Sequence, residues 1–120
     1  MLPAAHRLTD PAAFSDTVRT GVRAGSRAVV VHLLVTPGSD APARVGLVVS
    51  KAVGSAVVRT RVKRRLRHQV APLLAMLPTG SIVVLRAQPA AATATSAELA
   101  EELRAGVVRC LERTPEKVAQ

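Results

Sequence analysis

Apolar positions along the chain fall into short runs of two kinds, strand-like and helix-like. Ala28 to Val35 and Arg44 to Lys51 are dense in Val and Leu and read as strands. Between them, Thr36-Pro37-Gly38-Ser39-Asp40 concentrates turn formers and predicts an antiparallel hairpin. Val22 to Ser26 adds a short edge strand of weak periodicity, and Ser81 to Leu85 is a buried strand with Arg86 at its end. Asp10-Pro11 supplies a cap acceptor followed by a proline that needs no N–H, so a first helix is expected over about 11 to 20. Phe14 and Val18 share one of its faces, and Gly21 suits the exit.

A second helix opens after Gly54-Ser55, with Ser55 as its cap and Ala56 as its first residue. Val58, Val62, Leu66, Gln69 and Leu73 form its inward stripe, and Pro72 predicts a kink or restart near Ala71. Pro89 to Thr95 is a small-residue linker. Thr95-Ser96-Ala97-Glu98 matches a capping box, so a third helix should run to about Arg113, with Leu99, Leu103, Val107, Cys110 and Leu111 on its apolar face. The expected order is α-β-β-(β)-α-β-α, an α+β fold in which helices pack on one small mixed sheet as a single-domain α/β sandwich. Residues 1–120 make one domain, with a frayed end over about 115–120.

Charge changes the picture. The chain holds 17 Lys+Arg against 8 Asp+Glu, a net +9, yet 48% of its residues are hydrophobic. It can therefore build a core, unlike a disordered basic tail. No Asp or Glu occurs between Ala41 and Ala97, where nine cations lie: Arg44, Lys51, Arg59, Arg61, Lys63, Arg64, Arg65, Arg67 and Arg86. The rest of the chain is neutral in sum. Such segregation points to a defined anion-binding surface.

Other classes fall away. No apolar run is long enough to span a bilayer, and Met1 to Phe14 lacks a basic n-region followed by an apolar h-region. The single cysteine, Cys110, makes no internal disulfide, and no zinc spacing occurs. A cytoplasmic, metal-free protein without a small-molecule substrate is expected.

Six of the nine cations fall within Arg59-Thr60-Arg61-Val62-Lys63-Arg64-Arg65-Leu66-Arg67. On a helix, Val62 and Leu66 point inward while Lys63, Arg67, Arg64, Arg61, Arg65 and His68 sweep the outer arc and Arg59 borders the apolar stripe. Like charges at i,i+4 repel, no acid in the helix relieves them, and a merely solvated face would mix signs. The pattern therefore calls for a polyanion, and arginine's planar fork suits phosphate. Catalysis by the chain alone is not expected, because the eight acids lie outside the basic region and His6, His32 and His68 are scattered. Phe14 is the one aromatic residue, which excludes a sheet that stacks several bases. It fits either the core or a groove where one unpaired base stacks. His32, inside an apolar strand, reads first as a buried core histidine, and Cys110 as a small core residue.

The stretch Arg44-Val45-Gly46-Leu47-Val48-Val49-Ser50-Lys51, then Val53-Gly54-Ser55, then Arg59 to Arg67, resembles the protein subunit of bacterial ribonuclease P. Weaker agreement extends to Arg7-Leu8, Phe14, and the strand Ile82 to Arg86 with Pro89-Ala90. The resemblance implies a subunit that docks on a catalytic RNA and holds the 5′ leader of precursor tRNA. Cleavage would be carried out by that RNA with magnesium, with no catalytic residue from the protein. It also implies a left-handed βαβ crossover, against the usual hand.

Carried onto this chain, the catalytic RNA would meet Arg59, Thr60, Arg61, Lys63, Arg64, Arg65 and Arg67. The leader groove would comprise Phe14, Val18, His32, Val48, Ser50, Lys51 and Arg86. The chain departs from the family pattern in three respects. Thr60 stands where Asn is usual, Val18 and His32 stand where aromatics are frequent, and Ala52 replaces a common lysine. A structural RNA-binding protein of ribosomal type is the alternative. A cationic membrane-surface protein is disfavoured because Val62 and Leu66 are no interfacial aromatic anchors.

Overall fold

The structure is a computed structural model in which residues 2–114 are described. Three helices, α1 (Pro11–Thr20), α2 (Ala56–Val70) and α3 (Ser96–Arg113), surround four strands, β1 (Val22–Gly25), β2 (Val29–Val35), β3 (Arg44–Val48) and β4 (Ser81–Ala87). The expected α+β class and element order hold, and the weak strand at Val22 is present. The expected fraying of residues 115–120 lies outside the described residues.

Helix ends follow local chemistry. The Asp10 carboxylate accepts from the Ala12 N–H at 3.0 Å, Ser55 caps α2 through the Val58 N–H, and Thr95 with Glu98 completes the capping box of α3. Pro72 stops α2 at Val70, and the chain continues as a 3-10 turn over Ala71–Met76.

The hairpin expectation fails. Strand order is β1-β2-β4-β3, so β4 lies between β2 and β3. β2 pairs antiparallel with β4, from Val29↔Ala87 to Val35↔Ser81, and β3 runs parallel to β4, from Arg44↔Ile82 to Val48↔Arg86. The turn at Thr36–Asp40 does reverse the chain, but around the start of β4. Thr36 donates to the Gly80 carbonyl at 3.0 Å, and Gly80 donates to the Ala41 carbonyl at 2.7 Å. Gly80 has φ +81, and a Cβ there would lie 2.6 Å from the Thr36 oxygen, so the corner needs glycine. Turn residues specify that a chain turns; they do not specify its partner. Burial decides that: β4 is apolar on both faces from Ile82 to Leu85 and takes a central place. The third strand also stops at Val48 rather than Lys51, because Val49 turns into the core and a 3-10 turn begins at Lys51.

α2 and α3 cover one face of the sheet. Val62, Leu66 and Val70 of α2 and Leu99, Leu103, Val107 and Cys110 of α3 are buried with Val31, Leu33, Val45, Val83 and Leu85. Val70, outside the stripe expected from spacing, is fully buried. α1 crosses the other face above a smaller cluster of Leu8, Ile82 and Val84, joined by Phe14 and Val48. The two layers give the molecule two separate outer surfaces.

Candidate nucleic-acid interface

The cations of α2 divide into two groups. Arg61 donates to the Ala92 carbonyl (3.2 Å), Arg65 to Ala94 (3.3 Å) and the Gln69 amide to Ser96 (2.8 Å). These three donors, four residues apart, form a ladder that ties the helix to the segment leading into α3. Arg59 turns back to the Gly54 carbonyl at 3.2 Å. Thr60, Arg64, Arg67 and His68 stay exposed, and Lys63 is half-buried.

Among the described residues, no carboxylate lies within 4 Å of any α2 cation; the ion pairs are Arg19–Asp16 and Arg27–Glu98. Arg64, Arg65, Arg67 and His68, together with Thr60 and Ser96, border an open cleft of about 700 Å³. A smaller depression of about 370 Å³ adjoins it and shares Thr60 and Arg64. Val57 on its rim is 76% exposed, an apolar spot in a cationic surface that sequence spacing missed. The ladder was missed too, because periodicity assigned Gln69 to the apolar stripe. The run of small residues in the linker, where arginine stems can lie close to the backbone, was its one signal.

The expected groove residues gather on the other face. Register aligns Val48, Arg86, Val30 and Gly25 in one row across the sheet, and Gly46, Val84, His32 and Arg23 in the next. The Phe14 ring is seated over Gly46, where a Cβ would fall within 2.2 Å of Cζ. Val18, one turn further along α1, is 42% exposed. Ser50 and Lys51 are exposed just past the end of β3.

His32 departs from the expected role of a groove-lining residue. Its ring is 1% exposed and neither ring nitrogen has a hydrogen-bond partner, so it lies beneath the surface. Burial lowers its pKa, and the guanidiniums of Arg86 and Arg23 lower it further, so the ring is neutral near pH 7. Arg86 is half-buried, and its Nε is likewise without a partner.

No acid–base constellation assembles among the described residues. Asp10 caps α1, Asp16 pairs with Arg19, and Glu98 caps α3. Glu102 accepts from the Ser26 hydroxyl and the Ala28 N–H. No three His, Cys, Asp or Glu side chains among them approach closely enough to hold a metal ion. The Cys110 thiol is pushed up to about 11 by burial and donates to the Val31 carbonyl, as a core residue does.

The sequence matches the model of the Ribonuclease P family over residues 2–111. The chain belongs to the ribonuclease P protein family. A ribonuclease P protein component from a Nocardioides species is 52% identical over 119 residues, covering 98% of both chains. One from Streptomyces griseus is 52% identical over 118 residues, covering 92% of this chain and 96% of its own. Among solved structures, a Staphylococcus aureus RNase P protein mutant with defective mRNA degradation activity superposes with a TM-score of 0.77. It is 25% identical and covers 88% of this chain and 87% of its own. The Thermotoga maritima RNase P protein shares the fold at a TM-score of 0.67 and 21% identity, covering 91% and 97%. The chain is thus the RNA-binding protein subunit of a ribonucleoprotein endonuclease that matures the 5′ end of tRNA.

Proposed function

We propose that this ribonuclease P subunit divides its two RNA contacts between the two faces of its sheet. The outer face of α2 docks on the catalytic RNA. There Lys63, Arg64 and Arg67 neutralise phosphates, Thr60 offers a hydroxyl, and Arg59, Arg61 and Arg65 hold the helix while their remaining N–H donors serve the same partner. The α1 face holds the 5′ leader of precursor tRNA. One unpaired base stacks on Phe14 beside Val18, the row through Val48 and Arg86 forms the floor, and Ser50 and Lys51 guard the entrance. His32 supports that floor from below as a neutral ring.

The observation that carries this reading is the α2 face itself: six cations on one helix, unrelieved by any carboxylate within 4 Å among the described residues. Such a surface has its energetic complement in a polyphosphate. Among the described residues no three His, Cys, Asp or Glu side chains could hold a metal ion together, and we assign the magnesium of the reaction to the partner RNA. No helix among the described residues is long and apolar enough to cross a membrane, and we assign the subunit to the cytoplasm, with its RNA.

The test is cleavage of precursor tRNA by the cognate RNA at low magnesium, with and without the protein. The protein is expected to raise the rate by lowering the repulsion between two polyanions. Equal rates would overturn the reading, and co-sedimentation with ribosomes would then favour the ribosomal alternative.

A further inference from the structure

The net charge of the chain lies between residues 41 and 97, yet folding creates a second cationic site outside that stretch. Arg23 on β1 stands directly opposite His32, on the α1 face of the sheet. Arg113, in the last turn of α3, reaches round the edge and donates to the Arg23 carbonyl. Arg109 lies one turn earlier on the same side of α3, half-buried, with its Nε unpartnered. Among the described residues, no carboxylate lies within 4 Å of Arg23, Arg109 or Arg113. Asp16 and Arg19 of the neighbouring α1 neutralise each other at 2.9 Å.

The position of the cluster says what it meets. The groove row runs Val48, Arg86, Val30, Gly25, so it ends at β1 on a residue without a side chain. A strand laid along it from Ser50 and Lys51 crosses three interstrand gaps, about 14 Å, and passes Arg86 after the first of them. It leaves the sheet at Gly25, next to Arg23. On the opposite edge the start of β3 is covered, since the Leu8 N–H donates to the Val45 carbonyl and His6 bonds the Ala43 carbonyl. Arg86 and Arg23 lie on the same face of the sheet as His32, and both guanidiniums add to the effect of burial in lowering its pKa.

We propose that Arg23, Arg109 and Arg113 form a phosphate-binding exit at the β1 edge, which holds the single-stranded leader where it leaves the groove. The proposal rests on the assignment of the leader to the α1 face, and it adds a distal contact to that path. It also gives this chain a grip where stacking is reduced to Phe14: charge on the backbone replaces aromatic contact with bases. Recognition at the exit is therefore indifferent to base identity and steep in salt.

The experiment measures binding of precursor tRNAs with graded leader lengths to the holoenzyme reconstituted with its cognate RNA, across a salt series. Arg23→Gln is expected to weaken binding several-fold for leaders long enough to pass β1, and to leave the shortest leader within twofold. For long leaders the salt slope should fall by about 0.7 units per lost contact. Arg23→Lys should retain most of the affinity, and Arg23→Gln with Arg113→Gln should lose more than either alone. Equal affinity of Arg23→Gln and the unaltered chain at every leader length would overturn the exit while leaving the groove reading intact. The same loss on the shortest leader would also overturn it, placing Arg23 in the fold or against the catalytic RNA. A wild-type holoenzyme that cleaves but binds all leader lengths alike would overturn the groove reading, and the exit with it.

Discussion

His32 and Gly46 occupy the same row of the sheet and act in different ways. His32 is neutral in the folded protein because burial and two guanidiniums oppose its protonation, whereas the unfolded chain takes up a proton near pH 6.5. The unfolded state thus binds more protons below that pH, and stability should fall as pH drops from 7 toward 5, by at most about 1.4 kcal/mol per pH unit. Denaturant unfolding of the free protein at several pH values checks this, with His32→Leu expected to flatten the acid side. Gly46 acts through space. In Gly46→Ala the new methyl would occupy the seat of the Phe14 ring, which must swing away at a cost of about 1 to 3 kcal/mol. Thermal unfolding should register that cost, and leader affinity should fall with it, since the displaced ring is the proposed stacking platform.

At the scale of elements, α2 is held by arginines that spacing alone would send to solvent. Arg65→Ala frees the Ala94 carbonyl and removes one rung of the ladder, so stability should fall by about 1.5 kcal/mol. Amides in the 90–95 linker should exchange faster with solvent. Arg64→Ala, with no bond to lose in the free protein, should leave stability within about 0.5 kcal/mol and lower the salt slope of RNA binding by about one unit. Opposite outcomes for these two neighbours would remove the distinction between tethered and free cations. The elements themselves were legible where chemistry is local. Asp10, Ser55 and the Thr95–Glu98 box mark every α-helix start, and Pro72 marks the end of α2. Pairing was not legible: the Thr36–Asp40 turn reports only that the chain reverses, whereas β4 comes between β2 and β3 because its apolar run fits the centre of a sheet.

Across the whole molecule, the segregated charge of the sequence becomes two opposed surfaces. The α2 face was readable because its cations are consecutive in the chain. A groove of Phe14, Val18, Val48 and Arg86 was an expectation from the family resemblance; strand register aligns Val48 with Arg86, and Phe14 of α1 sits over Gly46 in the next row. The β1 edge was invisible, because Arg23, Arg109 and Arg113 are far apart in sequence and belong to segments whose acids balance them. In the fold Glu98 and Glu102 serve the cap of α3 and the Ser26–Ala28 turn, while Arg113 reaches the Arg23 carbonyl at the open edge.

The division of labour between the two faces is tested most directly by a crossed comparison of two variants in the reconstituted enzyme. One carries Arg64→Ala with Arg67→Ala, and the other carries Phe14→Ala. For each, affinity for the catalytic RNA and the dependence of precursor tRNA binding on leader length are measured in the same buffer. The α2 variant is predicted to lose affinity for the RNA yet keep its leader dependence once assembled at high protein concentration. Phe14→Ala is predicted to assemble normally and lose the leader dependence. If both variants impaired both measurements to the same degree, the two faces would not be separate binding surfaces.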